Sequence, residues 1–196
     1  MSCDLFDLCY YNAMSRRKRK TKTAFQKVRE QVDREFKHYS LEELTRLAES
    51  PVATDRFFAV EMMGKQTKDK LVEEYFQLCR KLAGDPESDI HWQAMIYLID
   101  ELEKKSEEIW EVIAELGDSS DEDIRTAVAC VLLEDLLDFD YDTYFPKVKE
   151  AVRKGRYRFI NTLSYCWFDD MSGPNYKKAQ NFIRHAKRGI NPEAWK

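Results

Sequence analysis

Glycine and proline are scarce, six and five in 196 residues, fewer than a loop-rich or disordered chain carries. No apolar run reaches the roughly 18 residues of a membrane span. The five cysteines (Cys3, Cys9, Cys79, Cys130 and Cys166) are odd in number, and none falls at C-x-x-C spacing. That argues against a zinc site or a disulfide framework and leaves small buried hydrophobes as the reading for Cys79 and Cys130. His38, His91 and His185 are far apart and form no H-x-x-x-H pair, so no metal motif is visible. Walker A, G-x-G-x-x-G, G-x-S-x-G and H-E-x-x-H patterns are all missing, and no cofactor is expected. Asp4 and Asp7 stand where a secretory signal wants positive charge, so a cytoplasmic location is the expectation.

What is present is charge, unevenly placed. The net charge is −4. Residues 16–22 carry +6, residues 23–84 balance at eleven acids and eleven bases, residues 85–152 carry −15 and residues 153–196 carry +7. The run Ser15–Lys22, SRRKRKTK, reads either as part of a flexible basic tail over residues 1–22 or as a phosphate-binding or nuclear-import signal. Met14-Ser15 just before it resembles a natural start, which would make residues 1–13 an upstream extension. In the acidic middle, Glu107, Glu111 and Glu115 recur at i, i+4 and i+8. This stripe is a solvated face or a dock for a basic partner, the chain's own tail included.

Helical signals run from Thr23 to Lys187, with no β-alternation between them. Phe25, Val28, Val32 and Phe36 share one helical face. SLEE at Ser40–Glu43 is a capping box. Ser50 and Asp85 read as caps with Pro51 and Pro86 opening the next helices. A further helix is expected from Thr67 to Leu82. Gly84, Gly117 and Gly155 close helices, and Pro146 is expected in the first turn of its helix.

The pattern repeats. Asp89-Ile90-His91, Ala94 and Leu98 match Asp123-Ile124-Arg125, Val128 and Leu132 at an offset of 34 residues. Arg56, Ala59 and Met63 fit 35 residues before His91, and Arg158, Asn161 and Tyr165 fit loosely 33 residues after Arg125. A period near 34 with two helices per unit means a stacked helical array.

These first helices, with Asp, an apolar residue and Arg, then Ala and Leu, resemble those of HEAT repeats. YDTYFPKVKEAV resembles a HEAT second helix. The resemblance is strongest over residues 85–152, and His91 departs from it by replacing Arg. It implies an all-α fold: an α-solenoid of about four HEAT-like helix pairs plus an N-terminal helix, wound as a right-handed superhelix over residues 23–196. The tetratricopeptide alternative lacks its Trp-Leu-Gly and Tyr spacing.

A solenoid implies a binding surface, not a chemistry. The leading expectation is a non-enzymatic module that binds a protein partner on its concave face. Candidate binding residues are Arg125, Arg153, Lys154, Arg156, Arg158, Tyr165 and Trp167, where bases and aromatics interleave. Lys177, Lys178, Arg184, Lys187 and Arg188 continue the basic segment. A polar outer surface on the last repeat explains them equally. The alternative is nucleic-acid binding, with HEAT-like alkylation-repair glycosylases as the distant resemblance. There Asp169 or Asp170 beside Trp167 would be the catalytic candidates, although a helix end explains the same residues.

Overall fold

The structure, a computed structural model, describes residues 23–34, 38–66, 72–166 and 173–189. The basic run Ser15–Lys22 lies outside the described residues. Among the described residues the fold is all-helical, with no strand. The helices are α1 (Ala24–Arg34), α2 (Leu41–Ala48), α3 (Ala53–Gln66), α4 (Glu73–Leu82), α5 (Ser88–Ile99) and α6 (Leu102–Leu116), followed by α7. The last runs Glu122–Ala127, continues as a π-helix over Val128–Leu133 and returns to α-helix over Glu134–Phe139. Then come α8 (Tyr141–Arg153), α9 (Phe159–Tyr165) and α10 (Gly173–Gly189). None is long and apolar enough to cross a membrane.

The main packing contacts join helices adjacent or next-but-one in the chain. The odd-numbered helices form a row, α1 on α3, α3 on α5, α5 on α7 and α7 on α9, with each even-numbered helix against a neighbour. Small residues make the close row possible. Ala59, Ala94 and Val128, the expected positions, are fully buried, as are Phe57, Phe76 and Phe159. Each buried Phe contributes about 1.5–3 kcal/mol relative to exposure. Arg29 of α1 fastens the first helix by donating to Glu61 of α3 and Gln93 of α5, each at 2.8 Å.

The 34-residue period has a hydrogen-bond counterpart. Arg56 Nη1 donates to the Ser50 carbonyl at 3.0 Å, and Arg125 Nη1 to the Ser119 carbonyl at 2.6 Å. His91 Nδ1 lies 2.8 Å from the Asp85 carbonyl. A carbonyl only accepts, so that nitrogen carries the proton. In all three repeats the basic side chain therefore reaches back six residues to the loop that feeds its own helix. The loop carbonyls are thereby satisfied inside the protein.

Several local expectations change. The SLEE capping box is present in full. Pro51 and Pro86 sit in bends before helices that begin at Ala53 and Ser88. Ser50 Oγ and Asp85 Oδ1 accept from the N–H two residues on, at 3.1 and 2.9 Å, so each closes a turn ahead of the helix. Residues 67–71 of the helix expected from Thr67 lie outside the described residues, and α4 is described from Glu73. Pro146 lies inside α8, because Asp140 caps that helix a turn earlier than expected by accepting from Thr143 N–H at 3.1 Å. Gly155 has the left-handed φ of +91° expected after a helix end. Gly117 is right-handed (φ −67°). Glycine is needed there because a Cβ would sit 2.6 Å from the Phe159 ring.

Candidate functional site

Outward charge on the even-numbered helices is largely matched between neighbours. Lys81 of α4 pairs with Glu49, Lys105 of α6 with Glu73 of α4, Arg80 of α4 with Glu111 of α6, and Lys147 of α8 with Glu107 of α6, all within 2.9 Å. Lys65 and Asp33 make a similar pair between α3 and α1. The expected acidic stripe is thus a seam. Glu107 and Glu111 bridge helices, and Glu115 alone of the three makes no ion pair among the described residues. Hydrogen bonds from Lys147 and from Lys105 hold the Glu107 and Glu73 carboxyls below their usual range.

Of the sequence-chosen binding residues, Arg125 and Tyr165 are neighbours, while Arg153, Lys154, Arg156 and Arg158 lie at and beyond the end of α8. Arg125 is 4% exposed and points into its own loop. Arg153 and Lys154 are exposed at the end of α8, near Glu150 at 3.8 and 3.7 Å. Arg156 turns toward α6, donating to the Glu115 carbonyl at 3.2 Å and lying 5.7 Å over the Phe159 ring. Arg158 uses its backbone N–H on Asp118 at 2.7 Å. Tyr165 donates to Glu122 at 2.9 Å, and burial followed by Glu122 raises its hydroxyl pKa. Trp167, Asp169 and Asp170 lie outside the described residues.

No cluster of three His, Cys, Asp or Glu among the described residues could hold a metal ion. Burial pushes the Cys79 thiol up to about 12 and raises that of Cys166 well above its usual value, the opposite of an activated nucleophile. Cys79 is fully buried, as expected for a small core hydrophobe, while Cys130 is half-buried. Burial, then Asp138, raises the Asp135 carboxyl to about 6, with no ion pair to it among the described residues.

A concavity lies between α8 and α10. It is an open groove of about 520 Å³. Tyr141 and Phe145 of α8 stack at 4.6 Å, and Phe182 of α10 meets Phe145 edge-on at 5.7 Å. The Tyr141 hydroxyl donates to the Asn175 carbonyl at 3.2 Å, tying the start of α10 to α8. Lys149 lies 5.1 Å over Phe145 from one wall, and Lys178 lies 5.8 Å over Tyr141 from the other. Asn181 and Asp142 complete the rim. The periodicity that builds this site was readable but passed over. Tyr141, Phe145 and Lys149 fall at i, i+4 and i+8, and Lys178 and Phe182 at i and i+4.

Comparison with protein-family models, curated proteins and solved structures finds no match to this chain.

Proposed function

We propose that this chain is a HEAT-like α-solenoid, wound as a right-handed superhelix, that acts as a non-enzymatic interaction module for a protein partner. The observation that supports the solenoid is the threefold bond from Arg56, His91 and Arg125 to the carbonyl six residues back. It makes the sequence repeat a repeated structural unit. Such units stack open-ended and present long side-chain surfaces. The binding role is supported by the α8/α10 groove, whose aromatic floor and charged rim are the composition of interface anchors.

A nucleic-acid reading is favoured by one observation. Lys177, Arg184 and Arg188 are exposed along α10 at i, i+7 and i+11, a spacing suited to tracking phosphates. Affinity capture of the full chain from its native cell, with and without nuclease, separates the two. The interaction-module reading expects protein partners that survive nuclease. Loss of every partner after nuclease would overturn it in favour of nucleic acid.

A further inference from the structure

We propose that the α8/α10 groove docks a peptide segment that presents carboxylates beside a bulky apolar side chain. This deepens the interaction-module reading and rests on it. Three observations fix the chemistry.

The first is the floor. Tyr141, Phe145 and Phe182 offer two ring arrangements, one stacked and one edge-on, which suits an inserted aromatic or branched aliphatic side chain. The second is charge. Lys149 and Lys178 stand on opposite walls over the floor rings, and neither forms an ion pair among the described residues. Lys147, two residues before Lys149 on α8, is already held by Glu107 at 2.7 Å. Two ammonium groups with no ion pair among the described residues, that of Lys178 also donating to Asn175 Oδ1 at 3.4 Å, face one apolar slot and complement carboxylates that flank an apolar residue. Asp142 is the one acid among the lining residues, against two lysines, so the local balance is positive.

The third is the backbone. Pro146 has no N–H, so the Asp142 carbonyl lacks the helical donor four residues on. With the Asn181 amide across the groove, it gives a bound main chain an acceptor and a donor–acceptor pair to read. Cation–π contact with the floor holds both lysines over the groove before anything binds, which lowers the ordering cost of binding.

The test uses the full chain and a dye-labelled peptide alternating glutamate pairs with single phenylalanines, followed by fluorescence anisotropy. A lysine-for-glutamate copy of the peptide and a single-stranded oligothymidine are the comparison probes. The glutamate peptide is expected to bind, with affinity falling at least about tenfold in K149E/K178E and holding within about twofold in K149R/K178R. K178E alone, at an exposed site, should give an intermediate loss. Absence of binding, equal binding of the lysine peptide, or indifference to charge reversal would overturn the proposal. So would oligothymidine binding that the same reversal removes while peptide binding stays. Partners captured equally by wild type and K149E/K178E would overturn the groove assignment yet leave the interaction-module reading standing.

Discussion

Arg56 and Arg125 hold the same place in their repeats, on either side of the repeat that carries His91, and have different surroundings. Both reach back six residues to a loop carbonyl. Arg56 also forks onto Asp85 of the next loop, Nε to Oδ2 at 2.6 Å and Nη2 to Oδ1 at 3.0 Å. The Asp85 bond is the main reason its pKa is raised further. The Nε of Arg125 is buried with no hydrogen-bond partner. Between α8 and α9 the next loop supplies Lys154 and Arg156 where an acid would be needed. His91, between them, has Asp123 Oδ2 at 3.4 Å from its Nε2. The shared bond makes a repeat, while an acid in the following loop decides how strongly the repeat is locked to the next.

The largest effect is expected where the lock is complete. Arg56→Ala strands Asp85, whose side chain is 5% exposed, and should cost about 3–5 kcal/mol in urea denaturation. Arg125→Ala removes one hydrogen bond and a poorly matched buried cation, and should cost only about 1–2 kcal/mol. Equal losses would erase the distinction between the two joints.

The glycines ahead of these joints sharpen it next. At Gly117 a new Cβ meets the Phe159 ring at 2.6 Å, whereas at Gly84 the nearest atom is Leu116 Cδ2 at 3.6 Å. Gly117→Ala should lower stability by about 1–3 kcal/mol. Gly84→Ala should stay within about 0.5 kcal/mol. Thermal melting of the two variants side by side distinguishes them.

The smallest effect is expected at the intermediate joint. The His91 ring, its Nε2 3.4 Å away, aided by Ser88 and Trp92, holds Asp123 at about 2, below the 3.8 of a free carboxyl. A depressed carboxyl contributes its stability above about pH 4 and loses it as the pH falls toward 2. Asp123→Asn should flatten that acid limb in a pH series of denaturation midpoints. At neutral pH the change should be under about 1 kcal/mol, because the carboxylate is half in water.

Fold class was legible because it rests on periodicity. The three- and four-residue spacing of Val28 and Val32, or of Ile109, Val112 and Ile113, is helical whatever packs against it, and Val32, Ile109, Val112 and Ile113 are buried. Helix starts were less legible. Proline is allowed both at the first helical position and in the turn before it, so Pro51 and Pro86 did not distinguish the two. The candidate binding residues read differently in three dimensions for a related reason. Arg125 and Arg158 look like surface charge in one dimension, but satisfying buried loops and helix starts draws one side chain and the other's backbone inward. The groove escaped notice because its residues come from α8 and α10, separated by α9.

By itself the sequence determined the helices and the 34-residue unit, since local periodicity and a recurring basic residue are written in the chain. Tertiary structure decided which charges remain available. Pairing depends on what the neighbouring repeat brings within about 4 Å. Glu107 and Lys147, forty residues apart, became a seam, while Lys149, two residues on from Lys147, was left facing an aromatic groove.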